Sequence, residues 1–181
     1  MCWKRTIEAL EEKALSAKGR RWRQMIVIGI ALVGLAAFFW WQNNGLTVSR
    51  YEFRSPKVPG DLDGYTIVQL SDLHNHSFGA GQRRLLELVE GLEPDLILLT
   101  GDLVDRNRTD LGPALALAQG AAELAPTCYV TGNHEWSITD SERAELLEGL
   151  SRAGVLVLED RWAVLTVGES RLVLALSLIH I

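Results

Sequence analysis

TIVQLSDLH (residues 66–74), DLILLTGDLVD (95–105) and CYVTGNHE (128–135) decide how this chain folds. Each opens as a short apolar run and breaks into polar residues on its C-terminal side, the pattern of a buried strand running into a loop. Helical spacing fills the gaps, from Gln82 to Leu92 ahead of Pro94 and from Pro113 to Leu124. Strands alternating with helices imply βαβ units and a largely parallel sheet. Ligands of an open α/β sheet bind beyond the carboxyl ends of its strands. The three polar breaks should therefore deliver Asp72, His74, Asp102, Asn133 and His134 to one small volume.

Those side chains suit cation chemistry. Asp72 and His74, two apart in an extended segment, would point to the same side and grip one ion. The two oxygens of Asp102 could bridge two ions, and the amide oxygen of Asn133 could serve the second. Oxygen and imidazole donors without thiolate favour Mn²⁺, Fe, Zn²⁺ or Mg²⁺. Two such ions roughly 3.5–4 Å apart can activate a water and clamp a phosphate for in-line attack. His134 would remain to stabilise or protonate the leaving oxygen. Gly101 and Gly132 let the backbone turn sharply into the site. Taken singly, Asp-x-His, Gly-Asp and Gly-Asn-His are as well read as turns or caps. Their order at three successive strand ends is what carries meaning.

Outward from this centre, Ser141 to Ala153 reads as a third helix with Ser141 as its N-cap. Residues 155–158, 163–167 and 172–176 follow as closely spaced strands, which suggests a mixed sheet. Upstream, Leu46 to Phe53 (LTVSRYEF) alternates like a strand until Pro56, Pro59 and Gly60 break it. Cys2 and Cys128 should not pair, and Cys128 reads as a small core residue.

Met25 to Trp41 is an uncharged apolar run of about 17 residues, near the lower limit for a transmembrane helix. Lys18, Arg20, Arg21 and Arg23 precede it, so the N-terminus is expected to be cytoplasmic and the remainder exported. Trp22, Trp40 and Trp41 sit where indoles favour the water–lipid boundary. The long preceding segment and the lack of a small-residue cleavage site argue against a removable signal peptide. The expected organisation is a basic cytoplasmic lead-in over 1–24 with a helix at 6–17, an anchor over 25–41, and a globular domain over 46–181. The region before Gly45 holds 7 Lys/Arg and 3 Asp/Glu, about +4; the totals of 18 and 23 leave 11 and 20 beyond it, about −9. A basic inner face suits anionic lipid. An acidic outer part argues against nucleic acid as a partner.

SDLH (71–74), GDLVD (101–105) and GNHE (132–135) resemble the first three signature blocks of the calcineurin-like metallophosphoesterase superfamily. From Tyr65 onward the chain is similar to its bacterial membrane-anchored branch. The resemblance implies a sandwich of mixed β-sheets flanked by helices, and hydrolysis of a phosphate ester or pyrophosphate with two divalent metal ions. It implies Asp72 and His74 on the first metal, Asp102 bridging, Asn133 on the second, His134 catalytic and Asp105 steadying a ligand. A lipid-linked phosphate at the outer membrane surface is favoured only by proximity to the anchor.

The family pattern also has a further lone His and a Gly-His-x-His block. This chain has only His76 and His180 besides the two already placed. His76 reads as an exposed loop residue, less readily as a rim residue facing substrate. Ser177 to Ile181 does not continue the family pattern, and it resembles a translated sequencing-adapter remnant. The expectation is a C-terminally truncated domain that binds one metal weakly and hydrolyses little. The alternative is a non-catalytic, membrane-anchored half-domain that binds a metal or a partner.

Overall fold

The computed structural model describes residues 2–159 and 161–176, so His180 and the 177–181 tail lie outside the described residues. The chain divides into two compact units, Met1–Ser49 and Arg50–Ile181.

The first unit is one helix, α1 (Cys2–Asn44), of 43 residues. At 1.5 Å per residue it is about 65 Å long, roughly twice a bilayer's hydrocarbon core. The expected lead-in and anchor are thus parts of a single helix. Within it Trp22–Phe39 is long and apolar enough to span a membrane. Its described side chains, among them Ile30, Val33 and Leu35, are exposed within the unit. The expected strand at 46–53 is absent. No strand among the described residues pairs with it, and Tyr51 and Phe53 remain open to solvent. Alternation alone does not hold a strand whose backbone groups lack partners.

The second unit contains β1 (Ile67–Leu70), α2 (Arg83–Glu90), β2 (Leu96–Leu99), α3 (Gly112–Leu124), β3 (Thr127–Tyr129), α4 (Asp140–Arg152), β4 (Leu156–Val157), β5 (Arg161–Val167) and β6 (Ser170–Leu176). The first four strands form a parallel sheet in the order β1-β2-β3-β4. β5 and β6 form a separate antiparallel hairpin, from Arg161 opposite Leu176 to Val167 opposite Ser170. The late strands therefore make a second sheet and do not extend the first. A short turn with Gly168 at φ 58° closes the hairpin, and Asp61 Oδ2 accepts from Glu169 N and Ser170 Oγ, each at 2.9 Å.

Side chains alternate across the sheet. Leu96 and Leu98, with Cys128 and Leu158, pack against Ala163, Leu165, Leu172 and Leu174 of the hairpin. The intervening Ile97 and Leu99 are fully buried. The helices supply the other core face through Leu85, Val89, Leu117, Ala118, Leu146 and Leu150. Two glycines allow close helix packing: a Cβ on Gly120 would lie 2.2 Å from Leu86 Cδ1, and one on Gly149 2.5 Å from Leu115 Cδ2.

Two helix starts differ from expectation. Gly81 and Gln82 have φ of 59° and 61°, so α2 begins only at Arg83. α4 is capped by Thr139, not Ser141. Glu142 N donates to Thr139 Oγ1 (3.2 Å), while Thr139 N and Oγ1 donate to Glu142 Oε2 (3.0 and 2.6 Å). The Thr139 hydroxyl, followed by its backbone N–H, holds the Glu142 carboxyl below its usual range. Thr139→Ala should cost about 1 kcal/mol in urea unfolding at neutral pH. A depressed carboxyl contributes stability above its unfolded pKa and loses it as pH falls through the folded value. The difference between the two proteins should therefore shrink below about pH 4.

Candidate metal centre

The three loops anticipated from sequence meet beyond β1, β2 and β3. The ladder between β1 and β2 continues into their loops: Asp72 N donates to Gly101 O (3.2 Å), His74 N to Asp102 O (2.9 Å) and Asn75 N to Leu103 O (3.1 Å). This continuation is not extended. Asp72, His74, Asn75 and Asp102 have φ of 58°, 45°, 61° and 52°. The simple two-residue alternation expected for Asp72 and His74 does not apply. Left-handed conformations at non-glycine residues each cost on the order of 1–3 kcal/mol and cluster where function over-determines the backbone. Here Leu73, Leu103 and Val104 are buried and anchor the loops, while the polar residues between them reach outward.

The ligand atoms of His74, Asp102 and His134 all lie within 4.8 Å of one another. The two imidazole rings meet edge-on with centroids 4.4 Å apart. Asp72 is more exposed, with Oδ1 3.6 Å from His74 Nε2. Asn133 is exposed at the start of the third loop's turn, and its backbone oxygen accepts from Ser137 Oγ (2.8 Å). Asp102 Oδ1 accepts the His134 backbone N–H at 2.9 Å, locking the second loop to the third.

His134 Nδ1 accepts from Arg106 N (3.2 Å) and lies 3.9 Å from Asp105 Oδ1. An accepting Nδ1 leaves the proton of a neutral imidazole on Nε2. Asp105 Oδ1 also accepts from Asn107 N (2.8 Å) and Asn107 Nδ2 (3.0 Å). The Asn107 backbone N–H is the main reason the Asp105 carboxyl sits below its usual range, with His134 and His74 adding to the effect. Asn75 completes this corner: its Oδ1 accepts from Asp105 N (3.0 Å) and its amide donates to Arg108 O.

His76 is half-buried rather than solvent-exposed. Its ring packs 4.5 Å from that of Phe78, and its buried Nε2 has no hydrogen-bond partner among the described residues. Buried Gln82 holds the same loop through His76 O (2.8 Å) and Phe78 N (2.9 Å).

Sequence reasoning gave no role to Glu135. The residue is fully buried and accepts backbone N–H bonds from Gly132, Asp102, Leu103 and Val104. Nothing in the local sequence separates it from a surface acid, because three of its donors lie more than thirty residues away. Gly101 has φ +86°, as a sharp turn requires, but Gly132 is needed for a different reason. A Cβ there would lie 2.2 Å from Asp102 Oδ1 and 2.5 Å from Asp102 N.

The His74 imidazole and the Asp102 carboxylate, with Asp72 beside them, form a donor set suited to a borderline divalent cation. Bonds of about 2.0–2.2 Å would draw such atoms to within roughly 4 Å, a closure that side-chain rotation supplies. The residues present therefore fit an ion.

The sequence profile described as calcineurin-like phosphoesterase matches residues 65–174. UDP-2,3-diacylglucosamine pyrophosphatase LpxG of Chlamydia muridarum is 31% identical over 115 residues, covering 59% of this chain and 35% of that protein. A transmembrane protein with metallophosphoesterase domain from Danio rerio is 32% identical over 91 residues, 48% of this chain and 20% of its own length. This chain thus spans about a third or less of these relatives. Among solved structures, the phosphopantetheinyl hydrolase PptH of Mycobacterium tuberculosis overlays with a TM-score of 0.41 at 21% identity, over 60% of this chain and 40% of that one. The profile covers more than half of the 181 residues, and the chain belongs to the calcineurin-like phosphoesterase family.

Proposed function

We propose that this chain carries the first half of the metal centre of a membrane-anchored, metal-dependent phosphoester hydrolase. The observation that carries the reading is the convergence of His74, Asp102 and His134 from three successive strand ends. Asp72 and His74 would hold a first divalent ion, and Asp102 and Asn133 would serve a second. Bound ions of this kind supply Lewis acidity toward the phosphate and activate water at neutral pH. His134 acts on the leaving oxygen. Its Nδ1 is occupied by the Arg106 N–H, so Nε2 carries the proton it would donate. Asp105, 3.9 Å from Nδ1, steadies the ring.

The proposed arrangement has residues 25–41 in the bilayer, residues 1–24 cytoplasmic, and the domain from 46 onward at the outer surface. A lipid-linked phosphate is the proposed substrate class. Support comes from the apolar helix and from the Chlamydia relative, which is named for a diacylated UDP-sugar. Among the described residues only Asp102 and Asn133 would serve the second ion, so the 181-residue polypeptide should bind one ion weakly and turn over little. Brisk Mn²⁺-dependent hydrolysis of a chromogenic phosphodiester by this polypeptide would overturn that expectation.

The hydrolase reading is tested on the protein expressed from its genomic reading frame, with phosphomonoester, phosphodiester and diphosphate probes. Metal-dependent release of phosphate that His134→Ala lowers by about 10²–10⁴-fold supports it. Metal binding without turnover on any probe would favour the non-catalytic half-domain.

A further inference from the structure

Glu135 and His134 are consecutive, yet they face opposite tasks. One turn presents His134 to the ligand cluster and sends Glu135 beneath the loop that carries Asp102. Glu135 Oε2 accepts from Gly132 N at 2.7 Å and Asp102 N at 2.9 Å. Oε1 accepts from Leu103 N at 2.7 Å and Val104 N at 3.3 Å. No cationic side chain contacts this carboxylate among the described residues. The four hydrogen bonds above all come from backbone donors, which suits a group that only accepts, and the hydroxyl of buried Tyr129 lies beside the same carboxylate. A charge kept out of water in this way needs such donors in place to be tolerated.

The contacts have a direction. Glu135 fixes the backbone N–H of Asp102, whose φ of 52° is one that side chains rarely adopt. The carboxylate of Asp102 in turn accepts the N–H of His134. The path runs from Glu135 through the Asp102 backbone and the Asp102 side chain to His134, and it closes on the residue beside Glu135. This ring links two of the three clustered ligand-type side chains.

We propose that Glu135 is a positioning residue for the metal centre: its buried carboxylate holds the ligand Asp102, and His134 beside it, in place in advance, and so sets the affinity for a divalent cation. The inference rests on the metal-site reading above. Gln cannot substitute, because its amide has one accepting oxygen and an NH₂ that would face N–H donors. Asp keeps the charge but is too short to reach both loops.

The test is Mn²⁺ affinity by calorimetry on the 181-residue chain in detergent, with amide hydrogen exchange of the metal-free protein. Glu135→Gln should weaken Mn²⁺ binding about 10–100-fold, the usual effect of losing a group that orients ligands. Exchange at residues 102–104 should accelerate in parallel. Leu146→Val, a buried change in α4, serves as the control for general destabilisation and should leave affinity within about twofold. If Glu135→Gln does not fold, Glu135→Asp is read in the same way. Equal affinity in wild type and the Glu135 variant overturns the inference alone. So does an equal loss in Leu146→Val. A wild-type chain that binds no Mn²⁺ overturns the metal-site reading and this inference with it.

Discussion

Asp102→Ala should lower divalent-cation affinity by more than about a hundredfold, since merely losing a group that orients ligands costs 10–100-fold. Asp102 is the one carboxylate among the three clustered ligand-type side chains, and it supplies their negative charge. Removing it leaves Asp72 and His74 to hold the first ion without the central carboxylate. It also frees the His134 backbone N–H, which now donates to Asp102 Oδ1 at 2.9 Å. Asp102→Asn separates the two effects, because the amide oxygen can still accept that N–H while the charge is gone. Calorimetric titration with Mn²⁺ should show near-complete loss in both variants. The third loop should stay ordered only in Asp102→Asn, as read by amide exchange at residues 133–137. Retained affinity in Asp102→Asn would mean that the site's charge comes from elsewhere.

Gly132→Ala should be strongly destabilising, costing about 3 kcal/mol or more. The new carbon would fall 2.2 Å from Asp102 Oδ1 and 2.5 Å from Asp102 N. Neither atom can yield cheaply, because Oδ1 is held by His134 N and Asp102 N by Glu135. Overpacking costs about 1–3 kcal/mol, and each hydrogen bond broken to relieve it adds about 1 kcal/mol. Gly60→Ala is the comparison: a Cβ at Gly60 meets nothing within 4 Å, so the change should stay within about 0.5 kcal/mol. Urea unfolding monitored by circular dichroism reads both. A Gly132→Ala protein as stable as Gly60→Ala would mean that the second and third loops are not in backbone contact.

What was legible in the sequence was the part written in local pattern. The apolar runs before Ser71, Gly101 and Gly132 are short, and each gives way at once to polar residues. The three motif loops accordingly sit where strand periodicity places them. The separate β5–β6 hairpin was less legible, because closely spaced strands look alike whether they extend a sheet or stack on it. Leu46 to Phe53 misled because it has the alternation of a strand but no neighbour to pair with. The cap of α4 was placed two residues late because Ser141 and Thr139 are both good caps. Only the reciprocal bond with Glu142, three residues after Thr139, decides between them. Within the site, residue identity pointed to His74, Asp102 and His134, but not to the left-handed backbone that presents the first two. Glu135 was invisible for a related reason: its partners are backbone groups brought to it by the fold, and backbone groups carry no sequence signature.

The central claim is that three strand ends build one cation site with histidine in it. Pulsed electron paramagnetic resonance on the Mn²⁺-loaded 181-residue chain tests it most directly, through the coupling of imidazole nitrogen to the bound ion. The account predicts a directly coordinated nitrogen in the wild type, lost in His74→Ala and retained in His76→Ala. A bound Mn²⁺ with no coordinated nitrogen, or a nitrogen signal unchanged in His74→Ala, would contradict it.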